Sequence, residues 1–167
     1  MTEPEEICYL PIGVIHTPFR EPQGTPIQPQ AARGIRGWVE VFPEYEAGLL
    51  DLDGFSHIVL IYHFHLSSRA GLTVRPYMDD RERGVFATRA PARPNPIGIS
   101  VVRLLGVEGR ILRVADVDIL DGTPLLDIKP YVPQFGDAPL DPKIRIGWLG
   151  NRVRGLKEAR DDGRFVS

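Results

Sequence analysis

The 167-residue sequence holds a single cysteine, Cys8, so no disulfide can close within the chain. It lacks a basic stretch followed by an apolar core near its start, the pattern of a secretory signal. Nor does any run approach the roughly 18 uninterrupted apolar residues of a membrane helix; the richest stretch, Ile58–Tyr62, is bounded by His57 and His63. These absences predict a cytoplasmic protein with no membrane partner. Nucleotide cradles are missing as well, since Gly34-x-x-Gly37 has the wrong spacing for a dinucleotide turn and there is no phosphate-loop lysine motif. Cys8 has no local sign of activation, and nothing supports a nucleophilic hydrolase. With a formal charge of −2 there is no overall basic excess of the kind that announces a nucleic-acid partner.

Glycine and proline are abundant instead, 17 and 16 residues, or about a fifth of the chain, so turns are dense and long helices are disfavoured. Charge is blocked along the sequence: residues 1–56 hold three basic and nine acidic groups, 57–113 nine and four, 114–142 one and six, and 143–167 seven and three. Of the 20 basic residues 17 are arginine, whose planar fork suits carboxylate and phosphate better than a lysine does.

Short stretches rich in valine, isoleucine and aromatics, bounded by Gly, Pro or Asp, predict strands at Tyr9–His16, Ile35–Phe42, Ser56–His65, Gly84–Thr88, Ile99–Val107, Ile111–Asp118 and Leu125–Lys129. Gly106–Gly109 reads as the turn of a hairpin. No segment between strands shows the amphipathic pattern of a crossover helix, which disfavours a parallel βαβ sheet. Two short helices are predicted, Glu44–Asp51 and Arg152–Arg160, the latter capped by Asn151. Antiparallel strands must hide their edges, and closure does so most completely. The expected fold is all-β, a closed antiparallel barrel in one domain over residues 1–167, with proline-rich loops at 22–29 and 130–142 and a basic tail at 143–167.

Two segments break local rules. In Gly84–Ser100 a strand runs into a loop whose three prolines lock φ and remove backbone donors, leaving carbonyls and Asn95 free, with Arg89 and Arg93 inside the frame and Gly98 allowing close approach. In Asp116–Tyr131 a strand ends at Asp118, a turn follows at Asp121-Gly122-Thr123-Pro124, and the next strand begins at once. Asp127 and Lys129 alternate onto one face and can pair. His57, His63 and His65 would share one face of a strand, but only His63 and His65 are close enough to hold one ion; this leaves a metal-dependent barrel enzyme as an alternative reading, with a polar role for His65 at a pocket mouth as the other.

Four blocks, Pro11–Phe19, Leu52–His57, Gly84–Ser100 and Asp118–Tyr131, together resemble the TsaA-like (YaeB) family over about residues 9–135, whose characterised bacterial member is a tRNA adenine-N6-methyltransferase acting on threonylcarbamoyl-adenosine beside the anticodon. The resemblance implies a single-sheeted β-barrel that binds S-adenosyl-L-methionine, acts on tRNA and forms a homodimer. Carried over by position, the cofactor contacts are Pro26, Ile27, Gln28, His65, Leu66, Arg89, Ser100, Val101, Asp118, Ile119, Leu120 and Asp121, with no metal. Leu66 stands where the bacterial enzyme has a glutamine, so a backbone contact is what survives there. Arg89, Asp121 and His65 are the catalytic candidates, with Asp118 a further possible base, and Arg93, Asn95, Lys129 and Tyr131 are assigned to the substrate. The bacterial enzyme continues into a further C-terminal domain, so another acceptor, or a non-catalytic cofactor-binding module, remains an alternative.

Overall fold

A computed structural model describes residues 3–27, 29–68, 70–135, 145–149 and 160–162. Its strands are β1 (Gly13–His16), β2 (Arg36–Val41), β3 (His57–His63), β4 (Thr73–Val74), β5 (Arg83–Gly84), β6 (Ile97–Glu108), β7 (Ile111–Ala115) and β8 (Thr123–Pro130). Six of them close into an antiparallel barrel in the order β1-β2-β7-β6-β3-β8, the all-β architecture that the strand pattern predicts. Alternation along each strand decides what points inward: Ile58, Leu60 and Tyr62 from β3, Leu112 and Val114 from β7, and Val39 and Val41 from β2 meet in one core with Ile15, Val102 and Leu125. Each such aliphatic side chain, fully withdrawn from water, contributes about 1.5–3 kcal/mol.

Close approach between β1 and β2 depends on Gly13, where a Cβ would run into the Glu40 carbonyl of the neighbouring strand. The β6–β7 hairpin forms, but its turn is Gly109–Arg110 rather than Gly106–Gly109, because Gly106, Val107 and Glu108 still pair with Arg113, Leu112 and Ile111. Outside the barrel β4 and β5 make a two-stranded sheet with a small core of Val74, Val85, Ala90 and Ala92.

Three expectations need correction. Gly84–Thr88 is not a strand: after Gly84 the chain turns into a 3-10 helix at Val85–Ala87, closed by the Thr88 N–H and hydroxyl, both donating to the Val85 carbonyl. A threonine that satisfies its own local backbone competes with a ladder, and here it wins. The first strand is shorter than Tyr9–His16: Tyr9 and Leu10 are exposed, and ladder pairing with β2 and β8 begins at Gly13. The short helix expected at Glu44–Asp51 forms with shifted bounds, as a 3-10 helix over Pro43–Leu49. The predicted helix at Arg152–Arg160 lies outside the described residues except for Arg160, which sits in an isolated bridge with Pro26.

Candidate active site

At the His63 end of β3 the barrel opens into a cavity of about 340 Å³, the size of a small-molecule site. Its walls come from the end of β3 and the turn after it, the start of β6, the arginine loop 88–95, the Asp118–Leu120 turn and the loop Pro22–Ile27. A bulge between Ile61 and Tyr62, where β3 shifts register against β8, falls just before the strand meets the cavity.

A buried hydrogen-bond chain runs along this wall. Tyr62 and Ser100 share a hydroxyl–hydroxyl bond of 2.9 Å, and the Ser100 hydroxyl donates to Asp118 Oδ1 at 2.7 Å. The register explains it: β3 and β6 pair with Leu60 opposite Ser100 and Tyr62 opposite Gly98, so both hydroxyls point inward from adjacent strands. Burial raises the Asp118 carboxyl to about 6, opposed by the Ser100 hydrogen bond and by the charge of Arg89. Burial also pushes the Tyr62 phenol far up, so it remains a neutral donor. Asp118 still reaches the cavity surface. A carboxylate poised near neutrality beside a cavity is what proton transfer requires.

Gly98 makes this packing possible. A Cβ there would lie inside contact distance of the Tyr62 ring and 2.9 Å from Phe64 Cζ, and Tyr62 is too enclosed to yield. Gly98→Ala is therefore expected to lower stability by about 1–3 kcal/mol, seen as a reduced melting temperature, and to weaken binding in the cavity.

The two loop arginines divide their roles. Arg93 Nη1 donates to the carbonyls of Thr88 (3.0 Å) and Ala90 (3.2 Å), holding the proline loop in shape. Arg89 is exposed, lines the cavity and makes no hydrogen bond or ion pair among the described residues. Its guanidinium is thus available to a ligand, while its charge reaches Asp118 and Tyr62. Asn95 also lines the cavity, exposed at the loop tip.

Of the other expected site residues, Pro26, Ile27, His65, Leu66, Ile119 and Leu120 are on the wall. Ser100 lies just behind it, joined to Asp118. His65 is not on a strand with His63, since β3 ends at His63 and His65 lies in the following turn. Burial, then the charge of His63, holds the His65 imidazole below its usual range, with Asp121 opposing; a neutral ring accepts or donates a hydrogen bond but brings no charge. Among the described residues no group of three or more His, Cys, Asp or Glu side chains is placed to hold a metal ion.

Asp121 is not on the cavity wall: its Oδ1 accepts from the Thr17 N–H at 3.0 Å and lies 3.5 Å from His16 Nδ1, because the turn folds back on the end of β1. Val101 pairs with Val59 and alternates away from the inward Ser100. Lys129, ion-paired to Asp127 at 2.9 Å, pairs with Val59, and Tyr131 lies against the His57 ring, about 13 Å and about 20 Å from His63 along β3 at roughly 3.3 Å per residue. Gln28 lies outside the described residues.

The sequence reading missed Tyr62, Thr123 and Asp161. For Tyr62 a signal existed, a phenol at an inward position of an otherwise aliphatic strand; for Asp161, far along the chain, there was none.

Comparison with known proteins adds identity to this geometry. The family model described as the tRNA-methyltransferase O N-terminal domain matches residues 14–137. A Pyrococcus abyssi protein named "Probable S-adenosyl-L-methionine-binding protein" is 63% identical over 100% of this chain and 89% of its own length. A tRNA (adenine(37)-N6)-methyltransferase of Mus musculus is 36% identical over 77% of this chain and 31% of its own. The crystal structure of TrmO from Pseudomonas aeruginosa superposes with a TM-score of 0.69 at 40% identity, covering 86% of this chain and 63% of that one. The chain thus spans just under two thirds of that solved relative.

Proposed function

The chain belongs to the tRNA-methyltransferase O N-terminal domain family, and from that premise we propose that it transfers a methyl group from S-adenosyl-L-methionine to the N6 position of threonylcarbamoyl-adenosine beside the anticodon of a tRNA. The observation that supports this most directly is the placement on one cavity of about 340 Å³ of Asp118 and of Arg89, which is unengaged among the described residues. The residues suit the methyl donor: an apolar wall from Phe64, Leu66, Ile97 and Ile119 for its adenosine, and a few placed polar groups to orient it. Bound there, the donor supplies an electrophilic methyl on a sulfonium.

The protein's task is then mainly orientation, which is worth up to about 7–11 kcal/mol of barrier. The acceptor nitrogen belongs to a urea, so its lone pair is delocalised and its proton must leave at or before transfer. Asp118 is the base: its carboxylate takes that proton, while Ser100 and Tyr62 hold it in place. Arg89 stabilises negative charge developing on the ureido oxygen, or the acceptor's own carboxylate, with a bidentate fork. This assigns the proton to Asp118 and not to Asp121, which is held against Thr17.

The working form is a cytoplasmic homodimer. Ile97 and Ile99, 42% and 55% exposed, lie both on the cavity rim and on the outer face of β6, where a second copy would cover them and complete the pocket. Sedimentation should give twice the monomer mass, and Ile99→Asp should shift it to the monomer.

The decisive assay incubates the protein with methyl-labelled donor and bulk tRNA, then identifies the labelled nucleoside after digestion. Label on N6 of the threonylcarbamoyl-adenosine is expected. Donor binding without labelling of any RNA would instead identify a cofactor-binding module.

A further inference from the structure

Residues 160–162 lie beyond residue 137, where the family match ends, yet they help to build the cavity. Arg160 forms an antiparallel bridge with Pro26. The Asp161 N–H donates to the Thr25 carbonyl at 2.7 Å, and the Asp161 carbonyl accepts from the Gly24 N–H at 2.5 Å. The loop that receives them is itself closed, with the Thr25 N–H donating to the Pro22 carbonyl at 3.1 Å and its hydroxyl to the Glu21 carbonyl at 2.8 Å. Segments near a chain end are ordinarily the least constrained part of a domain. Here both main-chain groups of Asp161 are engaged, and the half-buried residue lines the cavity beside Thr25, Pro26 and Ile27.

Charge selects what this carboxylate suits. A methyl donor of the sulfonium class brings an ammonium and ribose hydroxyls as hydrogen-bond donors, and its net charge is positive. A carboxylate on the wall complements it.

We infer that Asp161 is a cofactor-binding residue, its carboxylate accepting hydrogen bonds from donor groups of the bound methyl donor, so that the C-terminal segment completes a pocket the family-matched stretch leaves open. This rests on reading the cavity as the methyl-donor site. Calorimetry on the full chain tests it with S-adenosyl-L-methionine and S-adenosylhomocysteine as probes. Asp161→Ala is expected to raise both dissociation constants by about tenfold to a hundredfold, and Asp161→Asn, which keeps the shape and loses the charge, by an intermediate factor. Asp162→Ala, at the exposed neighbouring position, should stay within about threefold of wild type. If 5′-methylthioadenosine, which lacks the amino-acid end, is weakened too, the ribose is the partner; if it is not, the ammonium is. Wild-type affinity in Asp161→Ala, or an equal loss in Asp162→Ala, overturns the assignment while the methyl-donor reading stands. Absence of binding to the wild-type chain overturns that reading and the assignment together.

Discussion

Asp118→Asn is expected to lose methylation by about 10²–10⁴-fold while gaining stability at pH 8. The two effects share one cause. Burial lifts the Asp118 carboxyl from its ordinary 3.8 to about 6, so the folded protein disfavours the ionised form. For this group stability is fully present below about pH 3.8, declines as pH rises through about 6, and stays low above it, a difference of up to about 3 kcal/mol. Asparagine removes the buried charge and can still accept the Ser100 hydrogen bond. Its melting temperature should therefore exceed that of wild type by several degrees at pH 8 and fall level with it near pH 4, a scale set by about 2–4 °C per kcal/mol for a chain of this size. In the wild type, kcat/KM should rise tenfold per pH unit below about 6 and level off above it, because the carboxylate must be ionised to accept a proton. An Asp118→Asn variant that methylates at the wild-type rate, or a flat wild-type profile between pH 5 and 7, excludes Asp118 as the base.

Arg89→Ala is expected to reduce methylation by about 10²–10³-fold, the cost of removing one donor aimed at developing charge, with affinity for the methyl donor changed by no more than about threefold. The separation follows from the structure. Arg93 shapes the loop through two carbonyls, whereas Arg89 holds nothing else in place among the described residues and its removal leaves the loop intact. Arg89→Lys should not recover activity, since a single ammonium cannot supply two parallel hydrogen bonds to a carboxylate or ureido oxygen. Single-turnover rates and calorimetry on the same preparations decide the matter. If donor affinity falls in step with activity, Arg89 belongs to the cofactor and the acceptor is recognised elsewhere.

What the sequence by itself determined was the six strands of the barrel and the two unusual loops. Period-two alternation in His57–His63 and Ile111–Ala115, a glycine-marked hairpin and the absence of any crossover helix suffice for an antiparallel barrel, because each is a local property of the chain; where the turn falls, at Gly109–Arg110 and not Gly106–Gly109, was decided by the pairing of β6 with β7. The arginine loop and the Asp-Gly-Thr-Pro turn were legible for the same reason: proline and glycine act on their own dihedral angles. Only the tertiary structure decided which acid faces the cavity. Asp118 and Asp121 are three residues apart in one turn, and nothing local separates them; the pairing of β6 with β3 brings Ser100 to the first, and the end of β1 takes the second. It also decided that Arg93 serves the loop while Arg89 has no hydrogen bond or ion pair among the described residues, and that Lys129 and Tyr131 lie along β3 away from its cavity end. Register and ring closure bring together residues more than a hundred positions apart, and no spacing along the chain encodes that distance.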